Sequence, residues 1–261
     1  MTEKVLNRLR TFGTSIAGIV LFVVAWEASL RFSSVQLLPR PGQVVLGIVE
    51  LLVRGVLFKH VVASLFRVTW GFLLAMAVAF PLGFVLGWNT RAGRALGPFF
   101  QVLRPISPLA WIPLAILWFG VGDISAVFII FVASVLPLLL TAMNAVRNVP
   151  AVYVNAGQNF GLSTGQLFLR ILLPASLPGL LAGLRLTIGI SWLVVVAAEM
   201  IAVNSGLGFL IVDSRNAGDR YDLVVAGMVL IGAIGLALDR TMARVARGYI
   251  QSRDMVGQES A

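Results

Sequence analysis

The sequence predicts an all-α membrane protein with six spanning helices and a helical loop on the cytoplasmic side. Of its 261 residues, 59% are hydrophobic and 12% are charged, and the mean hydropathy is +0.95. One soluble domain could not enclose so much apolar surface. Apolar runs of about 20 residues, the length that crosses a bilayer, recur along the chain. This composition argues against a water-soluble enzyme.

Each apolar run predicts one membrane-spanning helix. The basic segment Met1–Arg10 precedes a long apolar run without a small-residue cleavage site, so we expect a retained helix rather than a signal peptide. The third run is the least regular because Pro105, Pro108 and Pro113 interrupt its hydrogen-bond ladder, and neighbouring helices must shield it. The six runs are 12–30, 64–88, 98–119, 124–143, 179–201 and 222–240.

The distribution of Lys and Arg predicts the orientation of the chain. If both termini are cytoplasmic, 13 of these residues lie inside and 6 lie outside, which agrees with the excess of positive charge on the cytoplasmic side of membrane proteins. Arg67 lies near the outer start of the second span. We therefore predict a multi-pass protein of the cytoplasmic membrane with both ends inside.

The segment 31–60 predicts an amphipathic helix on the outer leaflet. Its apolar side chains share roughly one helical face, opposite Gln43, Glu50 and Arg54. The apolar face consists of Val44, Val45, Ile48, Leu51 and Leu52.

The charged and metal-binding residue types exclude several functions. The net charge of +9 comes from basic residues between apolar runs rather than from one stripe, which indicates membrane topology and not nucleic-acid binding. The chain has no Cys and one His, His60, so disulfides, thiolate nucleophiles and metal sites are not expected.

The segment 144–178 between the fourth and fifth spans predicts two short helices. Pro150 suits the first position of a helix over 151–160, and Gly161 can supply the left-handed residue that ends it. Ser163 and Gln166 have the spacing of a capping box for a second helix. We expect Pro174 and Pro178 to end that helix and introduce the fifth span.

Several polar side chains in or near the spans are candidates for a translocation pathway or gate. Glu199 lies near the outer end of the fifth span, where it can make a structural or gating hydrogen bond or contact substrate. Arg185 can extend to the cytoplasmic headgroups or bind an anion. The full candidate set is Trp111, Ser134, Arg185, Thr187, Ser191 and Glu199.

The loop also carries a family resemblance. The residues Asn155, Ala156 and Gly157, followed by Gly161 and then by Leu173 and Pro174, resemble the EAA loop of ABC-importer permeases. The family pattern has Glu and Ala where this chain has Asn155 and Gly157. The resemblance implies that these six residues couple the permease to its ATPase.

Further motifs resemble the permease branch for sulfonates, taurine and nitrate. They occur in order over roughly residues 38–240, and they suggest a small anion as the solute. The motifs are Leu38-Pro39-Arg40-Pro41, Pro81-Leu82-Gly83, Arg104-Pro105-Ile106, Leu109-Ala110-Trp111-Ile112-Pro113-Leu114, Trp118-Phe119-Gly120, Gly183-Leu184-Arg185, Ala197-Ala198-Glu199-Met200 and Gly206-Leu207-Gly208.

The resemblance implies partners for this chain. They are a separate ATPase subunit that carries ATP and Mg²⁺, a second permease subunit in the inner membrane, and a periplasmic or lipid-anchored solute-binding protein. A homodimer is the simplest expectation. The chain itself has no phosphate-binding loop, and we expect no cofactor in it.

Two other functions remain as alternatives, and the solute is open. An ion-coupled carrier would favour ionisable residues or broken helices near the midplane, and an intramembrane enzyme would need clustered His, Asp or Glu.

We expect three regions: 1–60 with the first span and the interfacial segment, a permease core at 61–242, and a cytoplasmic tail at 243–261.

Overall fold

The computed structural model describes residues 14, 17–18, 20–31, 38–218 and 220–259, with side chains as far as Tyr249. Within these residues the regular elements are helices, as predicted for an all-α protein. They are α1 (20–31), α2 (Pro41–Val53), α3 (Val56–Trp88), α4 (Thr90–Leu103), a 3-10 turn (Pro108–Trp111), α5 (Ile112–Phe119), α6 (Asp123–Arg147), α7 (Ala151–Asn159), α8 (Thr164–Leu167), α9 (Leu173–Ala202), α10 (Leu207–Asn216) and α11 (Tyr221–Glu259).

Four stretches of the described chain are long and apolar enough to cross a membrane. They are α3, α6, the combined stretch Thr164–Ala202, and the part of α11 over Tyr221–Tyr249. They contain the second, fourth, fifth and sixth predicted runs. The first run, 12–30, lies partly outside the described residues, and α1 covers its end.

The third predicted span is broken rather than continuous. The axes of α4 and the segment Pro108–Phe119 meet at 80°. Pro105 and Pro108 fall at this break, where missing backbone N–H groups stop the helical ladder. The prediction that prolines make the third span over 98–119 irregular is confirmed, since the two segments together are long and apolar enough for one broken span.

The predicted stop at Pro174 and Pro178 is also wrong. The chain stays helical from Thr164 to Ala202. Between α8 and α9 it passes through a π-helical turn at Phe168–Leu172, and the amide of Leu173 donates to the carbonyl of Phe168 five residues earlier. This wider turn shifts the hydrogen-bond register just before Pro174, which lies at the start of α9.

The described residues form two compact units. The first contains residues up to Phe58 together with Leu210–Leu230. Its α2 helix buries Val44 and Leu51, and Arg220 Nη2 lies 2.6 Å from Glu50 Oε2. The hydrogen bond from Arg220 holds the pKa of Glu50 below its ordinary value.

The second unit contains residues 59–209 and 231–261 and holds the candidate sites. A Cβ atom at Gly83 or Gly87 of α3 would overlap α6, so the two glycines let these helices approach closely. At Gly183 of α9 a Cβ would overlap Thr141 of α6 in the same way. The three-region division predicted from the sequence stays a prediction.

Candidate functional site

The loop between α6 and α9 folds into a tight helical hairpin. α7 ends in a Schellman motif, in which the amide of Leu162 donates to Gly157 O at 3.1 Å and the amide of Gly161 donates to Gln158 O at 2.9 Å. Gly161 has a φ of +73°, as its predicted role requires. The predicted capping box is confirmed, because Ser163 N–H donates to Gln166 Oε1 at 3.0 Å and Gln166 N–H donates to Ser163 Oγ at 3.4 Å.

One side of this hairpin is fixed to the ends of the spans. Val146, Val149, Leu167 and Leu172 form a buried cluster. The rings of Phe84 in α3 and Phe168 pack edge to face at 5.2 Å, against the same cluster. The hairpin is therefore attached to α3 and α6 by apolar packing and can move with them as one body.

Gly157, one of the two departures from the EAA pattern, lies within this packing. It is buried in α7. A Cβ at this position would lie 2.5 Å from Ile171 Cδ1 and 3.2 Å from Leu167 Cδ1. The side chains of Ile171 and Leu167 therefore pack closely over Gly157.

The opposite side of the hairpin is exposed and partly apolar. Asn155 and Ala156 are exposed, and the exposed fractions are 69% for Val152, 55% for Tyr153 and 86% for Phe160. Exposed apolar side chains of this size are typical of a protein-binding surface. We call these five residues the coupling surface.

A buried ion pair joins α3 to α9 elsewhere in the same unit. Arg67 is 1% exposed and Glu199 is 0% exposed, and Arg67 Nη1 lies 2.7 Å from Glu199 Oε1. Arg67 Nη2 also lies 2.6 Å from Asp123 Oδ1 at the start of α6, where the carboxylate is 59% exposed. One guanidinium therefore connects three membrane helices through charge-assisted hydrogen bonds.

The same network holds the segment that follows α9. Glu199 Oε2 accepts hydrogen bonds from Ser64 Oγ at 2.9 Å and from the amide of Gly208 at 3.0 Å. Arg67 donates to Ser205 O at 2.8 Å. The amide of Gly206 donates to His60 Nδ1 at 2.9 Å, so this histidine has a structural partner. Within the described residues, no three His, Cys, Asp or Glu side chains are grouped as metal ligands.

The predicted pathway residues fall into separate environments. Ser134 and Ser191 meet across α6 and α9, with their Oγ atoms 2.7 Å apart, and both are buried. Thr187 is buried too and donates to Gly183 O at 2.9 Å. The Ser134–Ser191 pair joins α6 to α9, the Thr187 hydroxyl bonds within its own helix, and Trp111 lines a cavity. Glu199 belongs to the ion network described above.

Arg185, the cation considered for an anion site, is paired with a carboxylate. Its Nε and Nη2 atoms donate to Asp239 Oδ1 at 2.7 Å and Oδ2 at 2.8 Å. Both side chains are about half exposed. Arg185 therefore already has an anionic partner in α11, and its place in a pathway stays a prediction.

Sequence reasoning missed most of the ion network. The charge pattern places Arg67 near the outer start of the second span without assigning it a partner, and it does not single out Asp123 or Ser64. A signal was present, because Arg67 and Glu199 are opposite charges within two apolar runs. Charges in hydrocarbon normally require a partner, and these two could have been paired on that basis.

Comparison with known proteins assigns residues 71–251 to a described family. They match the model of the binding-protein-dependent transport system inner membrane component. The nitrate import permease protein NrtB of Leptolyngbya laminosa is 36% identical over 94% of this chain and 88% of that protein. The taurine transport system permease protein TauC of Escherichia coli is 34% identical over 84% of this chain and 82% of that protein.

A solved structure supports the fold independently. A chain of the MetNI methionine ABC transporter, determined in inward-facing conformations, superposes with a TM-score of 0.66. The match covers 76% of this chain and 96% of that one, at 19% identity. At this identity the likeness supports the fold alone.

Proposed function

This chain belongs to the inner-membrane components of binding-protein-dependent transport systems, and we propose that its system is an ATP-driven importer of small oxyanions. The chain is a transport subunit rather than an enzyme. The observation that carries the solute class is the similarity to permeases named for nitrate and for taurine. Nitrate and the sulfonate group of taurine both present negatively charged oxygens to a binding site.

The coupling surface is the proposed docking site for the ATPase subunit, which would carry ATP and Mg²⁺. Its exposed side chains suit a groove on a partner, as an amphipathic helix does. Within the hairpin, Asn155 and Ala156 are assigned to contact with the ATPase. Gly157 and Gly161 shape the hairpin, and Leu173 and Pro174 join it to α9.

The complete importer would also contain a second permease subunit and a solute-binding protein, periplasmic or lipid-anchored. Two copies of this chain are the simplest arrangement. ATP-driven movement of the docked hairpins would tilt the attached spans and open the pathway to alternate sides. The solute would be recognised mainly by the binding protein and would pass through the permease at low affinity.

We propose that both termini face the cytoplasm. Because the native chain has no Cys, single cysteines can report on each side without background. We expect cysteines at Val121 and Asn216 to react with an impermeant thiol reagent from outside, and one at Gln158 to react only after permeabilisation. All three positions are exposed, so access to water does not distinguish them. The reverse labelling pattern would contradict the orientation.

Reconstitution tests the function. We expect proteoliposomes containing this chain and its ATPase to take up labelled nitrate or taurine only with ATP and the solute-binding protein. Uptake driven by an ion gradient without ATP would instead indicate an ion-coupled carrier. Import of only neutral or cationic solutes would contradict the oxyanion proposal while leaving the permease assignment intact.

A further inference from the structure

A cavity of about 580 Å³ lies within the larger unit, beside the break between α4 and α5. Its volume falls within the range of small-molecule sites, roughly 300–1,000 Å³. Along α6 its wall extends from Val132 to Asn144, positions that lie about 14 to 32 Å from the start of the helix at ~1.5 Å per residue. The cavity therefore runs from near the middle of α6 to the end of α6 that leads into the helical hairpin.

The lining of this cavity is apolar except at a few places. Trp111, Thr141 and Asn144 contribute polar groups, and Arg104 contributes the one charge among the described lining residues. No carboxylate of the described chain lines the cavity. The remaining lining residues are alanine, proline and branched aliphatic side chains.

Arg104 differs from Arg67 and Arg185, the two arginines of the candidate sites that are paired with carboxylates. Arg67 is buried in its ion network, and Arg185 is bound to Asp239. The Arg104 side chain is exposed at the break after α4. In the part of the chain that the structure describes, its guanidinium forms no ion pair. Its positive charge is therefore available to a ligand in the cavity.

We propose that Arg104 is the residue that contacts the anion as it passes through this cavity. This inference rests on the proposed oxyanion import. A guanidinium presents parallel N–H donors that match two oxygens of a nitrate, carboxylate or sulfonate group. Thr141 and Asn144 supply neutral hydrogen-bonding groups on α6 for the remaining oxygens.

A single exposed arginine is suited to passage rather than to storage. The attraction between opposite charges in contact with water is weak, because solvent screens it. Conduction requires binding that favours entry but still permits exit. An arginine already paired with a carboxylate would not favour entry of the anion. A fully buried, unpaired arginine would bind the anion too tightly for it to leave.

The absence of native Cys allows a direct test of the charge. We expect Arg104→Cys to lower nitrate or taurine uptake at least tenfold at sub-saturating solute. Treatment with an aminoethyl thiosulfonate reagent should restore much of this uptake, because it returns a positive charge to the same place. A sulfonatoethyl reagent of similar length should not restore it, and saturating solute should slow both reactions.

Arg94→Cys is the matched control. Arg94 lies in α4, the helix that Arg104 follows; it is exposed and donates to Thr90 O of its own turn at 3.4 Å. We expect this variant to retain uptake before and after either reagent. Complexes of the Cys-free chain should not respond to the reagents, provided that the partner subunits are also free of reactive cysteine.

The two proposals fail in different ways. If the unaltered complex imports no oxyanion, the proposed function is wrong. If the unaltered complex imports nitrate or taurine and Arg104→Cys does so equally well, the import proposal stands and the assignment of Arg104 is wrong. Equal rescue by cationic and anionic reagents would also overturn it, because side-chain volume rather than charge would then matter.

Discussion

Replacing Arg67 by methionine is expected to be among the most destabilising changes in the chain. The variant would leave Glu199 at 0% exposure without its cation. Removing one partner of a buried ion pair typically costs about 3–5 kcal/mol, because the remaining charge is buried and unpaired. We expect the purified variant to unfold at a clearly lower temperature than the native chain, as measured by thermal unfolding in detergent.

Two further variants separate this effect from a general loss of packing. Asp123→Asn alters the partner that is 59% exposed, so a cost of about 0–1 kcal/mol is expected. Arg67→Met combined with Glu199→Gln removes both charges and keeps an oxygen for the amide of Gly208. This double variant should be more stable than Arg67→Met alone. Equal destabilisation by Asp123→Asn and Arg67→Met would refute the unequal roles of the two carboxylates.

Gly161→Val is expected to impair coupling while leaving the spans inserted. Gly161 has a φ of +73°, and a Cβ there would meet nothing within 4 Å, so the effect comes from the backbone. The left-handed conformation costs an L residue about 1–2 kcal/mol, and a β-branched side chain tolerates it least. A change of this size alters a two-state population roughly 5–30-fold. Retention of the ATPase during purification, and uptake per ATP hydrolysed, should both fall.

Gly161→Asn is the matched control, because asparagine tolerates the left-handed region. We expect it to retain most of the coupled uptake. Arg185→Ala breaks a half-exposed pair and should reduce uptake less than Gly161→Val does. Normal coupled uptake by Gly161→Val would show that the hairpin does not depend on this turn, and equal loss in both Gly161 variants would implicate the side chain instead.

Local signals in the sequence predicted the helical hairpin of α7 and α8. The glycine at the end of α7 and the Ser163 and Gln166 pair act within one or two turns, so their geometry follows from spacing alone. Four of the six predicted spans are found as continuous helices, because bilayer thickness sets the length of the apolar run that a span requires.

The prolines show where this kind of reasoning ends. Pro105 and Pro108 predicted a break, but the 80° turn depends on what the next helix packs against. Pro174 and Pro178 predicted a stop, yet the helix continues: a wider turn shifts the hydrogen-bond register just before Pro174, and Pro178 lies inside α9. A proline therefore predicts where a helical hydrogen bond is missing, but not whether the helix ends, bends or widens there.

The candidate sites depended on contacts between distant segments. Arg67 meets Asp123 and Glu199, which are 56 and 132 positions away, and only the pairing of charges in apolar runs hinted at this. Arg104 was counted as a topological charge. Its proposed role requires that no carboxylate lies beside it, and none of the described residues that line the cavity is acidic. No local sequence pattern indicates this.

The continuous helical stretch Thr164–Ala202 can be regarded as a mechanical lever. It has 39 residues and therefore a length of about 58 Å at ~1.5 Å per residue. One end of this stretch lies in the helical hairpin, and the other end lies beside Glu199 and its ion pair with Arg67. A force applied at the hairpin end would be resisted at the other end by the Arg67–Glu199 network. The stability of that network would therefore determine how far a movement of the hairpin rotates the whole helix and how far it only bends it.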